Sequence, residues 1–135
     1  METNETMKTN KSSTGLDSNI AGLLCYLFGW VTGLIFYLVE KDNKAVKFHA
    51  MQSILVFGGI GIIYVVISAF QGILWTLFWR AGGGALMALA GFLGILTTII
   101  LLASLILWIV LMIKAYQNEC FKLPLVGSIA EKQLQ

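Results

Sequence analysis

Most of the side chains able to do chemistry in this sequence stand close together, running from Lys41 through Lys44 and Lys47 to His49, Gln52 and Ser53. Three ammonium groups can hold phosphate or carboxylate, and an imidazole of unperturbed pKa ~6.5 can exchange a proton near neutrality. His49, Gln52 and Ser53 fall at i, i+3 and i+4, so on a helix they share one face. A metal centre or proton relay needs more. His49 is the one histidine of the chain, Cys25 and Cys120 form no CxxC, and the long apolar stretches hold no Asp or Glu. A nucleophile beside a base is likewise missing. The expected chemistry is contact, not catalysis. Lys41, Lys44, Lys47, His49, Gln52 and the isolated Arg80 are the candidate contacts to lipid or to a partner; no enzyme activity, cofactor or metal is expected.

The elements that must position these residues follow from composition. The chain has 135 residues, 58% hydrophobic and 12% charged, against roughly 25% charged in an ordinary soluble domain. Every charged residue lies outside three windows, Ser18 to Val39, Ala50 to Trp79 and Ala81 to Ile113, of 22, 30 and 33 residues. Each exceeds the ~18 residues at which an uncharged apolar run reads as a membrane span. A formal charge of +2, with lysines gathered at the helix ends, suits loops beside an anionic membrane surface and not a nucleic-acid footprint.

These windows predict an all-α membrane protein, a bundle of three transmembrane helices at 18–39, 48–72 and 85–113, with four spans as the alternative. Residues 1–17 are polar and expected to be disordered. Residues 40–47 form a basic loop. Gln71-Gly72, the aromatics Trp75, Phe78 and Trp79, and then Gly82-Gly83-Gly84 predict an interfacial segment and glycine turn over 73–84. Residues 114–135 form a tail with a short amphipathic end. With three spans, Lys41, Lys44, Lys47, Lys114, Lys122 and Lys132 outnumber Lys8, Lys11 and Arg80 on the other side. The excess places the C-terminus in the cytoplasm and the N-terminus outside a multi-pass cell-membrane protein.

Small residues recur at helical spacing, Gly22, Gly29 and Gly33 in the first span, Gly58 and Gly61 in the second, Gly91 in the third. Such stripes let helices approach closely, either within one bundle or between copies in a homo-oligomer. Gly29-xxx-Gly33 is the tightest expected point.

The order Glu40-Lys41-x-Asn43-Lys44-x-Val46-Lys47-Phe48-His49-Ala50-x-Gln52-Ser53 between two spans resembles a family of small prokaryotic membrane proteins without assigned function. That family is related to the twenty-kilodalton Tic component of the chloroplast inner-envelope protein import machinery. Lys114-Ala115-Tyr116-x-Asn118-Glu119, followed by Leu123-Pro124-Leu125-Val126-Gly127, is similar to the family's closing segment. The resemblance implies a non-catalytic subunit or scaffold of a larger membrane assembly, one that assists polypeptides across a bilayer. The plastid proteins are drawn with four spans, so the three-span reading departs from them. Pro124 and the end from Ser128 to Leu134 are expected to lie beside the Lys41 to Lys47 loop as a docking face for other membrane subunits. A small oligomeric channel or carrier without proton coupling is the alternative function, since the spans carry polar groups but no charge.

Overall fold

In a computed structural model, which describes residues 11–134, the chain is all-α. Its helices are α1 (Ser18–Leu27), α2 (Trp30–Val39), α3 (Lys44–Ala81), α4 (Gly84–Tyr116) and α5 (Val126–Lys132). α3 and α4, of 38 and 33 residues, are long and apolar enough to cross a membrane. At 1.5 Å per residue they measure roughly 57 and 50 Å, well over a hydrocarbon layer of ~30 Å. The described residues form two compact units, one of 11–59 with 107–134 and one of 60–106.

In the first unit the window expected as a single span is a helical hairpin. Its arms, α1 and α2, have ten residues each and meet at Phe28-Gly29. Along α1 the partners on α3 climb from Val46 and His49 beside Gly22 and Cys25 to Ser53 and Phe57 beside Gly29. Along α2 they descend again. Gly33 lies against Ala50 and Ser53, and Phe36 and Tyr37 pack on the same cluster as Ala21, Cys25, Val46 and Ala50.

The reversal has a local cause. Gly29 adopts φ +60°, ψ −132°, a backbone region that a Cβ makes costly. Thr32 Oγ1 accepts the Phe28 N–H at 3.2 Å and lies 3.2 Å from the Cys25 carbonyl, to which it donates. This stitches the end of one arm to the start of the next. The small residues Ala21, Gly22, Cys25 and Gly33 let both arms nest on α3.

Two further expectations change. Residues 11–17 form an ordered turn closed by a Lys11–Asp17 bridge; the rest of the segment expected to be disordered lies outside the described residues. Residues 73–81 also continue a helix instead of leaving it, because α3 runs through Gly72 to Ala81. In lipid a helix's own hydrogen bonds meet no competing water, so one glycine does not open them. Only Gly82 and Gly83, at φ +65° and +134°, end the helix. The irregularity of α3 is instead a π-helical turn at Ile54–Gly58.

The second unit is a pair of helical segments with little buried between them. Leu74 and Ala90 are buried, and Gln71 Nε2 donates to the Ala90 carbonyl at 3.3 Å beside Gly94. Thr76, Thr97, Thr98 and Ser104 return their hydroxyl protons to carbonyls three or four residues back, which satisfies them without another helix. The many exposed Ile, Leu, Val and Phe side chains of this unit suit a hydrocarbon solvent.

Candidate functional site: a polar clasp and seam around the hairpin

Where α2 ends, the chain must leave the apolar region and start α3. Asn43 does this by capping: its Oδ1 accepts the N–H groups of Ala45 and Val46 at 3.0 and 3.2 Å, two of the donors a helix start leaves open. Glu40, 1% exposed, closes the other side. Its carboxylate accepts the Asn43 N–H at 3.0 Å, the Ser13 hydroxyl at 2.6 Å and the Ser13 N–H at 2.9 Å, and bonds the Ser12 hydroxyl as well. Asn43 Nδ2 reaches the Lys11 carbonyl at 3.2 Å. Burial by itself pushes the Glu40 carboxyl up. The hydrogen bonds from Ser12 and Ser13, with those from the Asn43 and Ser13 N–H groups, outweigh it and hold the carboxyl at about 2. The clasp therefore works as a carboxylate and ties the entry of α1 to the exit of α2.

A second set of polar groups forms a seam along the first turns of α3. Tyr26 and His49 share a hydrogen bond of 3.2 Å between the phenol oxygen and Nδ1, with their rings edge to face. Ser53 Oγ donates to the Gly29 carbonyl at 2.8 Å, holding the hairpin tip. Gln52 Nε2 donates to the Phe121 carbonyl at 3.1 Å, which pins the C-terminal segment. Trp108 Nε1 donates to the Tyr26 carbonyl at 2.6 Å and joins α4 to α1. Gln52 Oε1 is buried with no hydrogen-bond partner among the described residues.

The structure separates the residues expected to act together. His49 and Gln52 are buried within the first unit, Lys41 and Lys44 are exposed, and Lys47 is half-buried. Arg80 is exposed in the last turn of α3 and belongs to the second unit. Among the glycines, a Cβ on Gly22 would meet His49 at 3.1 Å and one on Gly33 would meet the Ala50 carbonyl at 2.9 Å. Gly29 is the hairpin tip, not one face of a continuous helix. Gly58 lies near Trp30, while Gly61 and Gly91 have nothing within 4 Å. The tail folds back, with Gly127 and Ala130 buried and Leu123 packed near Tyr26, Leu111 and Ala115. Among the described residues no three His, Cys, Asp or Glu side chains gather as a metal site would require.

Ser12, Ser13, Glu40, Tyr26 and Trp108 are the positioning residues that spacing did not reveal. Glu40 carried a signal in its position, an acid ending an apolar run. Its serine partners lie 27 and 28 residues away and carried none.

The chain is 46% identical to a UPF0132 membrane protein of Methanocaldococcus jannaschii over 93% of its own length and 96% of that protein's. A second such protein of that organism is 41% identical over 87% of this chain and 71% of its own. A UPF0132 membrane protein of Archaeoglobus fulgidus is 40% identical, covering 88% of this chain and 97% of that one. No solved structure matches. The profile of the magnetosome magnetite crystal formation protein family matches residues 13–130, nearly all of the clasp, hairpin and spans, and the chain belongs to that family of membrane proteins.

Proposed function

We propose that this chain is a non-catalytic membrane scaffold whose hairpin dips into one leaflet, so that its N-terminal turn, Lys41 to Lys47 loop and C-terminal segment share the cytoplasmic face. The clasp carries the reading: Ser12 and Ser13 at the entry of the hairpin bond to Glu40 at its exit. Each ten-residue arm rises about 15 Å, half of a hydrocarbon layer of ~30 Å. A chain that turns back there emerges where it entered. With α3 and α4 crossing, the seven lysines among the described residues lie on one side and Arg80 alone on the other, a stronger bias than three spans give.

The scaffold role is supported by where the polar groups point. Glu40, Asn43, His49, Gln52 and Ser53 each bond to another part of the first unit, so they hold the fold. Lys41, in the loop between α2 and α3, and Lys44, the first residue of α3, remain exposed as groups for a partner or for lipid phosphate. Assistance to polypeptide translocation is the finer form of this proposal, supported by the Phe48-His49-Ala50-x-Gln52 string. The family's name speaks of magnetite crystal formation; a scaffold that recruits other subunits is compatible with that name without ligating iron itself.

Crosslinking in native membranes, followed by identification of the captured proteins, tests the scaffold. A specific partner should be caught by the wild type and lost on Lys41→Ala with Lys44→Ala and Lys47→Ala. Retention of every partner by that variant refutes a docking role for the loop. Flux of ions or small solutes through reconstituted liposomes, rising with protein loading, would favour a channel instead.

A further inference from the structure

Beyond α4 the chain turns back onto the first unit. The turn is a Schellman cap. Asn118, at φ +57°, stands where the helix stops; the Glu119 N–H donates to the Lys114 carbonyl and the Asn118 N–H to that of Ala115, both at 3.0 Å. Asparagine tolerates this left-handed conformation, so the cap is a durable pivot. Past it the segment is tied to itself. Lys122 pairs with Glu131 at 2.9 Å, the Gly127 N–H donates to the Leu123 carbonyl at 2.8 Å, and Ser128 Oγ donates to the Leu125 carbonyl at 2.7 Å.

Its hold on the rest of the unit is modest. Gln52 Nε2 donates to the Phe121 carbonyl at 3.1 Å, Leu123 packs half-buried near Tyr26, and the buried residues of α5 are Gly127 and Ala130, which carry little apolar surface. Closure also has two costs. The chain folds so tightly that a Cβ on Gly127 would meet Lys122 Cα at 2.8 Å, and Leu125 takes φ +70°, ψ −56°, with the Val126 N–H donating to the Pro124 carbonyl at 2.9 Å. That is a γ-turn of the rare, strained hand. The Leu125 side chain, 81% exposed, gains no packing from it. The second cost falls on Gln52, fully buried, whose Oε1 has no hydrogen-bond partner among the described residues. Closure desolvates that acceptor without giving it a donor.

We propose that residues 118–134 are a strap that releases as one piece from the first turns of α3, pivoting at Asn118 and strained at Leu125, so that the Gln52 end of the seam is covered in one state and accessible in the other. The test uses the full chain in detergent micelles. In a Cys25→Ala, Cys120→Ser background, a water-soluble maleimide should modify Ala130→Cys, on the covered face of α5, more slowly than Ser128→Cys on its exposed face, yet to completion. In the chain with its native cysteines, hydrogen exchange should find the bonded amides of Gly127 and Ile129 opening together, roughly tenfold or more faster than those of residues 47–53. Leu125→Gly should slow both labelling and exchange by roughly fivefold to tenfold, because the strain removed exceeds the backbone entropy that glycine adds. Ile129→Gly, at a helical position, should speed both. Rates unchanged or raised by Leu125→Gly would overturn the strap. So would exchange that frays residue by residue from the C-terminal end, or strap amides as protected as those of residues 47–53.

Discussion

Glu40 is the residue on which the first unit closes, and its behaviour with pH can be worked out. Its carboxyl is held at about 2, below the ordinary 4.5. Its stabilising contribution is thus complete above about pH 4.5 and is lost as pH falls toward 2. Glu40→Gln should lower stability at neutral pH by about 1.5 to 3 kcal/mol, the worth of a hydrogen bond to a charged group. The gap from wild type should shrink below pH 3, as read by thermal melting in detergent across pH 2 to 7. Gly33 offers a steric counterpart. A Cβ there meets the Ala50 carbonyl at 2.9 Å, so Gly33→Ala should cost about 1 to 3 kcal/mol in the same assay. Gly91→Ala, with open space around it, should be neutral or stabilising by up to about 1 kcal/mol. Composition and spacing made the shared face of His49, Gln52 and Ser53 legible, because i, i+3, i+4 geometry is local. They could not show that its partners are Tyr26, Phe121 and Gly29, which come from distant parts of the chain.

At the scale of the element, hydropathy cannot tell one span from a hairpin. A 22-residue helix and two ten-residue arms present the same uncharged run, and what differs is a single backbone conformation at Gly29. Its φ of +60° with ψ of −132° admits glycine and little else. Gly29→Ala should therefore destabilise the hairpin by about 1 to 3 kcal/mol, read as a lower melting temperature in detergent. A variant that melts at the wild-type temperature would show that the tip does not depend on this conformation. α3 starts at Lys44, inside the segment expected as a loop over 40–47, because the Asn43 side chain caps it there. The expected break at Gly72 misjudged the solvent. Glycine costs a helix in water through backbone entropy and through exposure of backbone to solvent, and lipid removes the second of these.

At the scale of the molecule, the all-α membrane class follows from scarcity of charge, and the topology proposed above rests on the hairpin. Placing the N-terminal segment across the bilayer from the Lys41 to Lys47 loop required α1 and α2 to be one helix, whereas Ser12 and Ser13 touch Glu40 directly. The most direct test is labelling by a membrane-impermeant maleimide in sealed vesicles of known orientation. The background is Cys25→Ala with Cys120→Ser, and the reporters are Leu16→Cys, Lys41→Cys and Ala81→Cys, all at exposed positions. Leu16→Cys and Lys41→Cys should label from the same, cytoplasmic face, and Ala81→Cys only from the opposite one. Labelling of Leu16→Cys together with Ala81→Cys, and not with Lys41→Cys, would contradict the one-leaflet hairpin.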